Sequence, residues 1–432
     1  MVKKHLIKNF EKLATSPIRK VVLDIAEAGL ESINTAKAVN KYVSYNGRKD
    51  ILRVCGKKFA LEKYERILCV GFGKAALEAV TELQKIINDR ISCGFVIDLK
   101  EGNLGKIICR VGSHPHPTKI NIDATKELLD MLSKCTEKDL VLCVVSGGGS
   151  ALLCYPHEMN CETEVSIVSA LTVKGAPIEE LNTVRKHISN VKGGQLAAKM
   201  YPATVIGLIF SDVPGDDIST VASGPTAMDT TTVSDAAGIL KKYDILAMCE
   251  LPACKLIETP KEEKYFQNVH NFLLVSAKTA LQAMKERAEE YGFKTFIYSN
   301  RFQGEAKSLG ALVVQKNLPH ECLLGAGEST VKIIGKGKGG RNQEMALAAL
   351  PYLSEKQVFA CIASDGHDNT DAAGAIVDRG TWLRAKNLNM KTEEYLQNND
   401  SYSFFVATGD IVETGLTGAN VSDFFVCINS KF

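Results

Sequence analysis

The sequence predicts an α/β protein of two domains in which helices cover largely parallel β-sheets. Short apolar runs rich in β-branched residues alternate with amphipathic helical patterns along the 432 residues, and this alternation is typical of parallel sheets. Most of these runs are apolar at nearly every position, which indicates strands that are buried on both faces. At about 150 residues per domain, the length corresponds to two or three domains.

Helices and strands can be placed in order along the chain. Residues 23–33 carry apolar side chains at helical spacing, and we expect this opening helix to pack on the first sheet. A second amphipathic helix is predicted over residues 74–87, with Val80, Leu83 and Ile87 on one face. The predicted strands are residues 67–70, 94–99, 106–111, 140–145, 204–210, 272–275, 295–298, 322–325, 358–362 and 404–407. The charged stretch at residues 258–264 is the predicted linker between a first domain at residues 1–257 and a second at residues 265–432.

Composition argues against several classes of function. The 52 lysines and arginines are nearly balanced by 50 acidic residues, for a net charge of +2, so the chain lacks the basic surplus of nucleic-acid-binding proteins. No apolar run approaches the roughly 20 residues that span a bilayer. We therefore expect a protein that handles small molecules, with no nucleic-acid or membrane partner, and we leave open whether it forms a homodimer.

Cysteine usage and the N-terminus bear on the cellular compartment. Several of the 13 cysteines lie within apolar runs, among them Cys69, Cys143 and Cys361, where a free thiol behaves as a small hydrophobe. The odd number and the lack of a Cys-x-x-Cys pair disfavour a disulfide framework, so we expect a reducing, cytoplasmic setting. The basic N-terminus has no long apolar segment, which disfavours a secretory signal and leaves a mitochondrial presequence as an alternative.

Two glycine-rich loops follow predicted strands, where parallel sheets bind their ligands. The loops are formed by Gly71, Phe72, Gly73 and Lys74, and by Ser146, Gly147, Gly148, Gly149 and Ser150. The first loop offers backbone N–H groups at a helix start together with a positive charge, although a plain strand–helix turn is an alternative interpretation. Three consecutive glycines in the second loop cost chain entropy, which favours close approach of the backbone to an anionic ligand.

Charged segments in the same half offer further candidates. Arg185, Lys186 and Lys192 precede a Gly-Gly pair, and a charge run of this kind usually marks a solvated helical face. Asp212 and Asp216 follow the strand predicted at residues 204–210, a suitable position for metal-holding carboxylates, although Asx-turn chemistry is the alternative.

A pair of closely spaced histidines in this half could suggest a metal site. His114 and His116 are only two residues apart and have no further ligands nearby in the sequence. Such a pair makes a poor zinc site. We interpret the segment as a loop near the ligand cleft.

The C-terminal half contains three more loops of this chemistry. A glycine-rich segment at residues 335–340 leads into a helix that begins with Arg341, and an arginine there can pair bidentately with a carboxylate or a phosphate. Ser364, Asp365 and Gly366 end a predicted strand, and a loop of Gly, Thr and Asn residues spans 414–420. Each loop suits a binding site at the end of a sheet.

Together these motifs resemble the class II glycerate kinases, which combine an N-terminal Rossmann-like domain with a C-terminal MOFRL domain. The segments that carry the resemblance are VGFGKAA, SGGGSALL, NTVRKHISNVKGGQLA, SDVPGDDISTVASGPT, GGRNQEMALA, the Ser-Asp-Gly segment and TGLTGANVSD. They occur in the family's order and cover about residues 65–425. No single motif decides the resemblance, whereas seven in order do.

The resemblance implies an active site in a cleft between the two domains, with ATP, Mg²⁺ and D-glycerate as ligands and 2-phospho-D-glycerate as product. Lys74 and Arg341 match lysine and arginine positions regarded as catalytic in the family, and Asp365 is our candidate acceptor of the hydroxyl proton. The candidate metal ligands are Asp212 and Asp216. The candidate nucleotide-binding residues are Gly71, Gly73, Ser146, Gly147, Gly148, Gly149, Ser150, Lys192 and Gly193.

Two other functions stay open. An NAD(P)-dependent hydroxypyruvate reductase would also need glycine loops after strands, but Ala76 stands where Gly-x-Gly-x-x-Gly requires glycine, and the next strand ends at Asp98 without a convincing ribose-binding acid. A non-catalytic sugar-acid binding protein on the same fold is the third possibility, because fold does not fix function.

Overall fold

The computed structural model describes residues 5–213, 215–249 and 254–430, and the chain divides into two compact units. The inserted unit comprises Ala38–Val213 and Asp217–Leu274. The terminal unit comprises the described residues of Met1–Lys37 and Val275–Phe432, together with residues 215–216. The chain therefore starts in the terminal unit, builds the inserted unit, and returns to complete the first.

The regular elements are as follows. The strands are β1 (Val43–Asn46), β2 (Ile51–Val54), β3 (Lys57–Ala60), β4 (Arg66–Phe72), β5 (Cys93–Asp98), β6 (Ile107–Val111), β7 (Asp139–Ser146), β8 (Thr204–Phe210), β9 (Val269–Val275), β10 (Lys294–Glu305), β11 (Glu321–Thr330), β12 (Gln357–Ala363), β13 (Gly374–Asp378), β14 (Ile411–Val412) and β15 (Asp423–Asn429). The helices are α1 (Phe10–Leu13), α2 (Pro17–Ser32), α3 (Thr35–Tyr42), α4 (Ala76–Ile87), α5 (Lys119–Leu132), α6 (Gly149–Leu152), α7 (Cys161–Val173), α8 (Ile178–His187), α9 (Gln195–Met200), α10 (Val233–Lys242), α11 (Ile245–Met248), α12 (Ala277–Glu290), α13 (Ala306–Lys316), α14 (Arg341–Ala349), α15 (Arg379–Asn387), α16 (Thr392–Gln397) and α17 (Ser401–Thr408).

A six-stranded sheet forms the centre of the inserted unit, in the order β6-β5-β4-β7-β8-β9. The recorded pairs from β6 to β8 are parallel, which confirms the predicted α/β class. The inner strands β5, β4, β7 and β8 bury nearly every residue, as expected where helices cover both faces of a sheet. The chain runs outward from β4 to β6 and then returns to β7 beside β4, so the strand order reverses between β4 and β7. Open α/β sheets bind ligands at such a reversal, beyond the carboxyl ends of the strands.

The inserted unit also contains a small sheet that the sequence analysis missed. Strands β1, β2 and β3 pair in antiparallel fashion. The signal was present, because Asn46 ends β1 and Gly47 follows it, and an Asn-Gly dipeptide favours tight hairpin turns.

The sheet of the terminal unit is mixed, in the order β10-β11-β15-β12-β13-β14. Its β10–β11 pair is parallel, whereas the other recorded pairs are antiparallel, so the expectation of parallel sheets was wrong for this half. The strand predicted at residues 404–407 was also wrong, because these residues lie in α17. The sequence analysis missed the buried central strand β15, which pairs with both β11 and β12.

The predicted opening helix is present as α2, but it belongs to the terminal unit and not to the unit that contains the first sheet. Ser16 caps α2, its side chain accepting from the Arg19 N–H at 3.3 Å, and Pro17 occupies the first helical position. The helix packs on α12 and on strands β12 and β15 of the terminal unit, rather than on the first sheet. The buried Arg19 guanidinium pairs with Asp410 at 2.7 Å, and Gly29 lies so close to Met284 that a Cβ there would come within 2.8 Å of it.

The predicted linker at residues 258–264 is packed within the inserted unit. Thr259 is buried and its hydroxyl donates to Asp229 at 3.2 Å, while the Ile257 N–H donates to the His187 carbonyl at 2.8 Å. The division into compact units instead falls between Leu274 and Val275 and between Lys37 and Ala38. It therefore differs from the predicted boundary after residue 257.

Two expectations from composition can be compared with the structure. Cys69, Cys143 and Cys361 are fully buried, as their apolar surroundings predicted. Among the described residues, none forms a helix that combines the length and the apolar character needed to cross a bilayer.

Candidate active site

The loops after β4 and β7 are joined at the point where the strand order reverses. Gly73 adopts a φ of +116°, and a Cβ there would collide with the side chain and backbone of Ser146. The buried Ser146 hydroxyl accepts from the Ala75 N–H at 3.1 Å, and the Lys74 N–H donates to the Gly147 carbonyl at 2.9 Å. The structure thus brings the two predicted glycine loops into one assembly, in which Ser146 has a structural role.

Lys74 and His114 meet at Gly148. Gly148 adopts a φ of +77°, and a Cβ there would lie 3.1 Å from Lys74 Cγ and 3.2 Å from His114 Cδ2. Lys74 itself is exposed. Burial lowers the pKa of His114, and the charges of Lys74 and His116 add to this effect, so the His114 imidazole is neutral at pH 7. Because Gly148 has no side chain, the Lys74 side chain can lie close to the backbone of this loop.

A pair of glycine substitutions tests this close approach. Gly148→Ala and Gly175→Ala both place a side chain at a left-handed φ, +77° and +72°, which costs about 1–2 kcal/mol in each case. Only Gly148 has neighbours within 4 Å of the added Cβ. We expect Gly148→Ala to lower kcat/KM at least about tenfold, or about 1.4 kcal/mol of transition-state stabilisation, while Gly175→Ala loses stability alone. Equal activity of the two variants in steady-state assays would contradict this assignment.

A cavity of about 500 Å³ adjoins the Gly148 loop; we call it the basic cavity. Its polar lining includes His114, His116, Ser150, Glu164, Arg185 and Lys192, and its apolar wall includes Val165 and Val168 from α7. Four of the eight polar side chains that line the cavity are basic or imidazole groups, three are hydroxyls and one is a carboxylate. The cavity therefore suits an anionic ligand with a less polar part.

The charge run of Arg185, Lys186 and Lys192, which begins on α8 and ends beyond it, is not the solvated face that such runs usually mark. Lys192 and Glu164 form an ion pair at 2.5 Å in which both side chains are buried, and Lys186 pairs with the buried Asp229 at 3.0 Å. The Gly193 N–H donates to the Ser223 carbonyl at 2.9 Å. Lys192 and Gly193, predicted to bind nucleotide, thus already have protein partners.

The two predicted metal ligands lie in different surroundings. The Asp212 carboxylate packs against Gly147, where a Cβ would collide with it, so it adjoins the second glycine loop. Asp216 has a positive φ, groups with the terminal unit and lies 3.7 Å from the Lys278 ammonium. The described residues contain no cluster of three or more His, Cys, Asp or Glu side chains arranged to hold a metal. Mg²⁺ commonly takes one or two carboxylates besides phosphate oxygens and waters, a donor set that Asp212 fits.

Arg341 begins α14 in the terminal unit and is held by two carboxylates. Its Nε lies 2.5 Å from Asp423 Oδ2, and Nη1 and Nη2 lie 3.1 and 3.0 Å from the Glu328 oxygens. The pairing with these acids raises the pKa of Arg341 despite its burial. An anionic ligand at this guanidinium would compete with Glu328, whose side chain is 41% exposed, more readily than with the buried Asp423.

Asp368 and Asp365 have distinct roles beside this helix. The buried Asp368 carboxylate accepts from the backbone N–H groups of Asn342 and Gln343 at 3.0 and 2.8 Å, and so caps the start of α14. Asp365 is half-buried; its Oδ1 accepts from the His367 N–H and its carbonyl from the Thr417 N–H, both at 3.0 Å. The Ser-Asp-Gly segment and the loop at 414–420 are therefore joined by hydrogen bonds.

The buried Asp423 should make stability depend on pH. Burial raises the pKa of Asp423 to about 7, although Arg341 opposes the shift. Between pH 4 and 7 the folded chain holds a proton that the unfolded chain releases, so this contribution to stability is present at low pH and is lost as pH rises through 7. We expect Asp423→Asn to gain about 2–3 kcal/mol relative to the parent between pH 5 and 8. Urea unfolding of both proteins at the two pH values measures this, and parallel pH profiles would refute it.

Comparison with protein families identifies the chain's relatives. The domain of unknown function DUF4147 matches residues 21–258, and the MOFRL family matches residues 321–423. A glycerate 2-kinase from Pyrococcus horikoshii is 37% identical over 94% of this chain and 98% of its own length. This chain belongs to the glycerate 2-kinase family. The match confirms the resemblance inferred from the seven motifs.

Two further relatives show the range of the family. A crystal structure of a glycerate kinase from Thermotoga maritima shares 32% identity and a TM-score of 0.83, covering 95% of this chain and 99% of that one. A protein from Agrobacterium vitis, provisionally named a hydroxypyruvate reductase, is 36% identical over 83% of this chain and 86% of its own length. The second name keeps the reductase alternative relevant.

Arg185 lines the basic cavity, a placement that the sequence analysis did not predict. It was grouped with Lys186 and Lys192 as one charge run, but Lys186 pairs with Asp229 and Lys192 with Glu164, whereas no ion pair is recorded for Arg185. A partial signal existed, since the helical turn places residues 185 and 186 on different faces. The sequence alone did not reveal which face meets a cavity.

Proposed function

We propose that this member of the glycerate 2-kinase family uses ATP and Mg²⁺ to phosphorylate the 2-hydroxyl of D-glycerate, giving 2-phospho-D-glycerate. The observation that carries the proposal is the joined pair of glycine loops where the strand order reverses, with Lys74 at Gly148 beside the basic cavity. A nucleotide and a small sugar acid are both anions, and both suit this setting.

Lys74 is the proposed catalytic cation. Phosphoryl transfer requires alignment and neutralisation of charge more than covalent participation of the protein. The backbone N–H of Lys74 donates to the Gly147 carbonyl, and its side chain lies beside Gly148. The ammonium can therefore stabilise negative charge that develops on a phosphoryl group bound at this loop. Gly148 leaves room for the lysine side chain, because a Cβ there would lie 3.1 Å from Lys74 Cγ.

Asp212 is the residue best placed to hold the metal near the phosphate oxygens. Its carboxylate adjoins Gly147, so one acidic ligand lies at the loop proposed to bind phosphates. Bound Mg²⁺ would neutralise charge on those oxygens. Asp216 stays a predicted second ligand, although Lys278 is its present neighbour.

Arg341 and Asp365 complete the proposal from the terminal unit. Arg341 would hold anionic oxygens of the substrate in exchange for Glu328, and Asp365 would accept the proton of the attacking hydroxyl. Asp365 suits this role better than Asp368, because both oxygens of Asp368 accept hydrogen bonds from the start of α14.

Product analysis tests the proposed reaction directly. Purified protein with ATP, D-glycerate and Mg²⁺ should release ADP, and phosphorus NMR should show a phosphate ester coupled to the C2 proton. Chelation of the metal should stop the reaction. A product phosphorylated at C3, or no ADP release above the rate without D-glycerate, would overturn the proposal.

The name of the Agrobacterium relative favours the reductase alternative. The hydrogen bonds that the Asp98 carboxylate accepts from the protein backbone argue against it. This acid occupies the position where a dinucleotide-binding domain holds the ribose. Its Oδ2 accepts from the Leu77 N–H at 2.9 Å and its Oδ1 from the Leu99 N–H at 2.6 Å, so the carboxylate is used by the protein. Loss of NADH or NADPH absorbance with hydroxypyruvate would favour the reductase.

A further inference from the structure

Arg185 is a half-buried cation without a protein acceptor. It lies on α8 and lines the basic cavity, yet within the described residues its guanidinium makes no hydrogen bond and no ion pair at contact distance. Glu164 acts on it only through longer-range charge attraction, and burial lowers the pKa of Arg185. Removing a guanidinium from water without a partner is costly, so this position calls for a ligand that supplies acceptors.

The other charged groups around the cavity are already paired. Glu164 lines the cavity, but one of its oxygens accepts from Lys192 at 2.5 Å and the other from the Cys154 thiol at 3.3 Å. Lys186 lies outside the cavity lining and pairs with Asp229 at 3.0 Å. Of the described lysines and arginines that line the cavity, Arg185 is the one with no recorded hydrogen bond or ion pair.

The Ser150 hydroxyl also lines the cavity, but it does not offer a hydrogen-bond donor to an anion. Ser223 donates to Asn182 at 3.0 Å, and Ser150 lies 3.0 Å from the Ser223 hydroxyl. Because the Ser223 proton goes to Asn182, the Ser150 hydroxyl must donate its own proton to Ser223. Ser150 then offers a ligand only the lone pairs of its oxygen. An anion in the cavity therefore needs another donor.

The backbone of α8 holds Arg185 in place. The next two residues are anchored: Lys186 by Asp229, and His187, whose Nδ1 lies 2.8 Å from the Thr183 carbonyl and Nε2 3.3 Å from Glu258. These contacts fix the backbone at the end of the helix, so the direction in which the Arg185 side chain leaves α8 is set before a ligand arrives. Such preorganisation favours binding because little ordering is left to occur.

We propose that Arg185 is a substrate-binding residue that receives an oxyanion, a carboxylate or a phosphate, in the basic cavity. The planar fork of a guanidinium matches both groups with two parallel hydrogen bonds, which a lysine cannot reproduce. The inference rests on the proposed function for the identity of the oxyanion. A carboxylate would belong to D-glycerate, and a phosphate would belong to ATP. Arg341, by contrast, is already held by Asp423 and Glu328.

Kinetics of Arg185→Gln and Arg185→Lys test the inference and separate the sources. We expect Arg185→Gln to raise KM about 10- to 100-fold for one substrate while kcat changes less, and Arg185→Lys to recover only part of the loss. A rise in KM for D-glycerate identifies the carboxylate, and a rise in KM for ATP identifies the phosphate. Lys174→Gln, at an exposed position outside the cavity lining, removes one positive charge as the matched control and should leave both constants unchanged.

Calorimetry of the full chain supplies a readout that does not need turnover. D-glycerate and ATP are titrated separately into the parent, Arg185→Gln and Lys174→Gln, with melting curves to check folding. Unchanged KM values and affinities in Arg185→Gln would overturn the inference even if the parent is an active kinase. A parent that binds either anion through Arg185 but makes no phosphoglycerate would overturn the proposed function and keep the inference. Equal losses for both substrates with a lowered melting temperature in Arg185→Gln and Arg185→Lys would count against a binding role.

Discussion

Lys74→Ala lowers kcat by about 100- to 1,000-fold if its ammonium stabilises the transferring phosphoryl group, as removal of one preorganised charge does elsewhere. The loss should appear in kcat more than in KM, because developing charge is greatest in the transition state. The fold should be unaffected, since the lysine side chain is exposed and surface changes usually shift stability by less than about 0.5 kcal/mol. Steady-state kinetics and thermal melting of the variant together measure both parts.

Two companion variants sharpen this test. Lys74→Arg keeps the charge but changes its shape and should recover part of kcat. Lys85→Ala removes a lysine from α4, the helix that follows the Lys74 loop. Lys85 pairs with Glu82 at 2.6 Å, and this variant should behave as the parent does. Near-normal turnover of Lys74→Ala would remove the lysine from the mechanism.

Arg341→Ala is expected to lower kcat/KM at least about 100-fold and also to destabilise the terminal unit. Asp423 is buried and loses its bidentate partner, which costs up to about 3–5 kcal/mol when a buried pair is broken. The cost here should be smaller below pH 7, because the pKa of Asp423 is about 7 and the carboxyl can take up a proton. Melting curves at pH 6 and 8 should therefore diverge.

A double variant separates the structural part of Arg341 from its proposed role with substrate. Arg341→Ala combined with Asp423→Asn removes the unpaired buried charge and should restore most of the stability, while activity stays low. If activity returned with stability, Arg341 would be a structural residue only.

The motifs near the first sheet were predictable because their chemistry is local. Glycine loops directly after apolar strands indicated where β4 and β7 end, and the parallel sheet followed from the alternation of elements. The terminal unit was less predictable, since an apolar run does not reveal its partner. Residues 404–407 and 424–428 have similar composition, yet the first form part of α17 and the second part of β15, a choice made by tertiary packing.

The sequence supplied candidate site residues, but it did not reveal the contacts that these residues make within the protein. Ser146, Lys192 and Gly193 were expected to contact nucleotide, whereas the structure uses their polar groups to join loops and to neutralise Glu164. Long-range partners such as Glu164 are invisible to local spacing. For the same reason Arg185 could not be distinguished from its charged neighbours in the sequence.

The origin of the terminal unit from both chain ends has a consequence for biosynthesis. The end of α2 at Ser32 and the start of its partner α12 at Ala277 are 245 positions apart. At about 5–20 residues per second, the ribosome needs about 12 to 50 seconds to deliver α12 after α2 has emerged. Throughout that interval the side of α2 that packs on α12 has no partner, so a helix made early in synthesis is among the last to complete its packing.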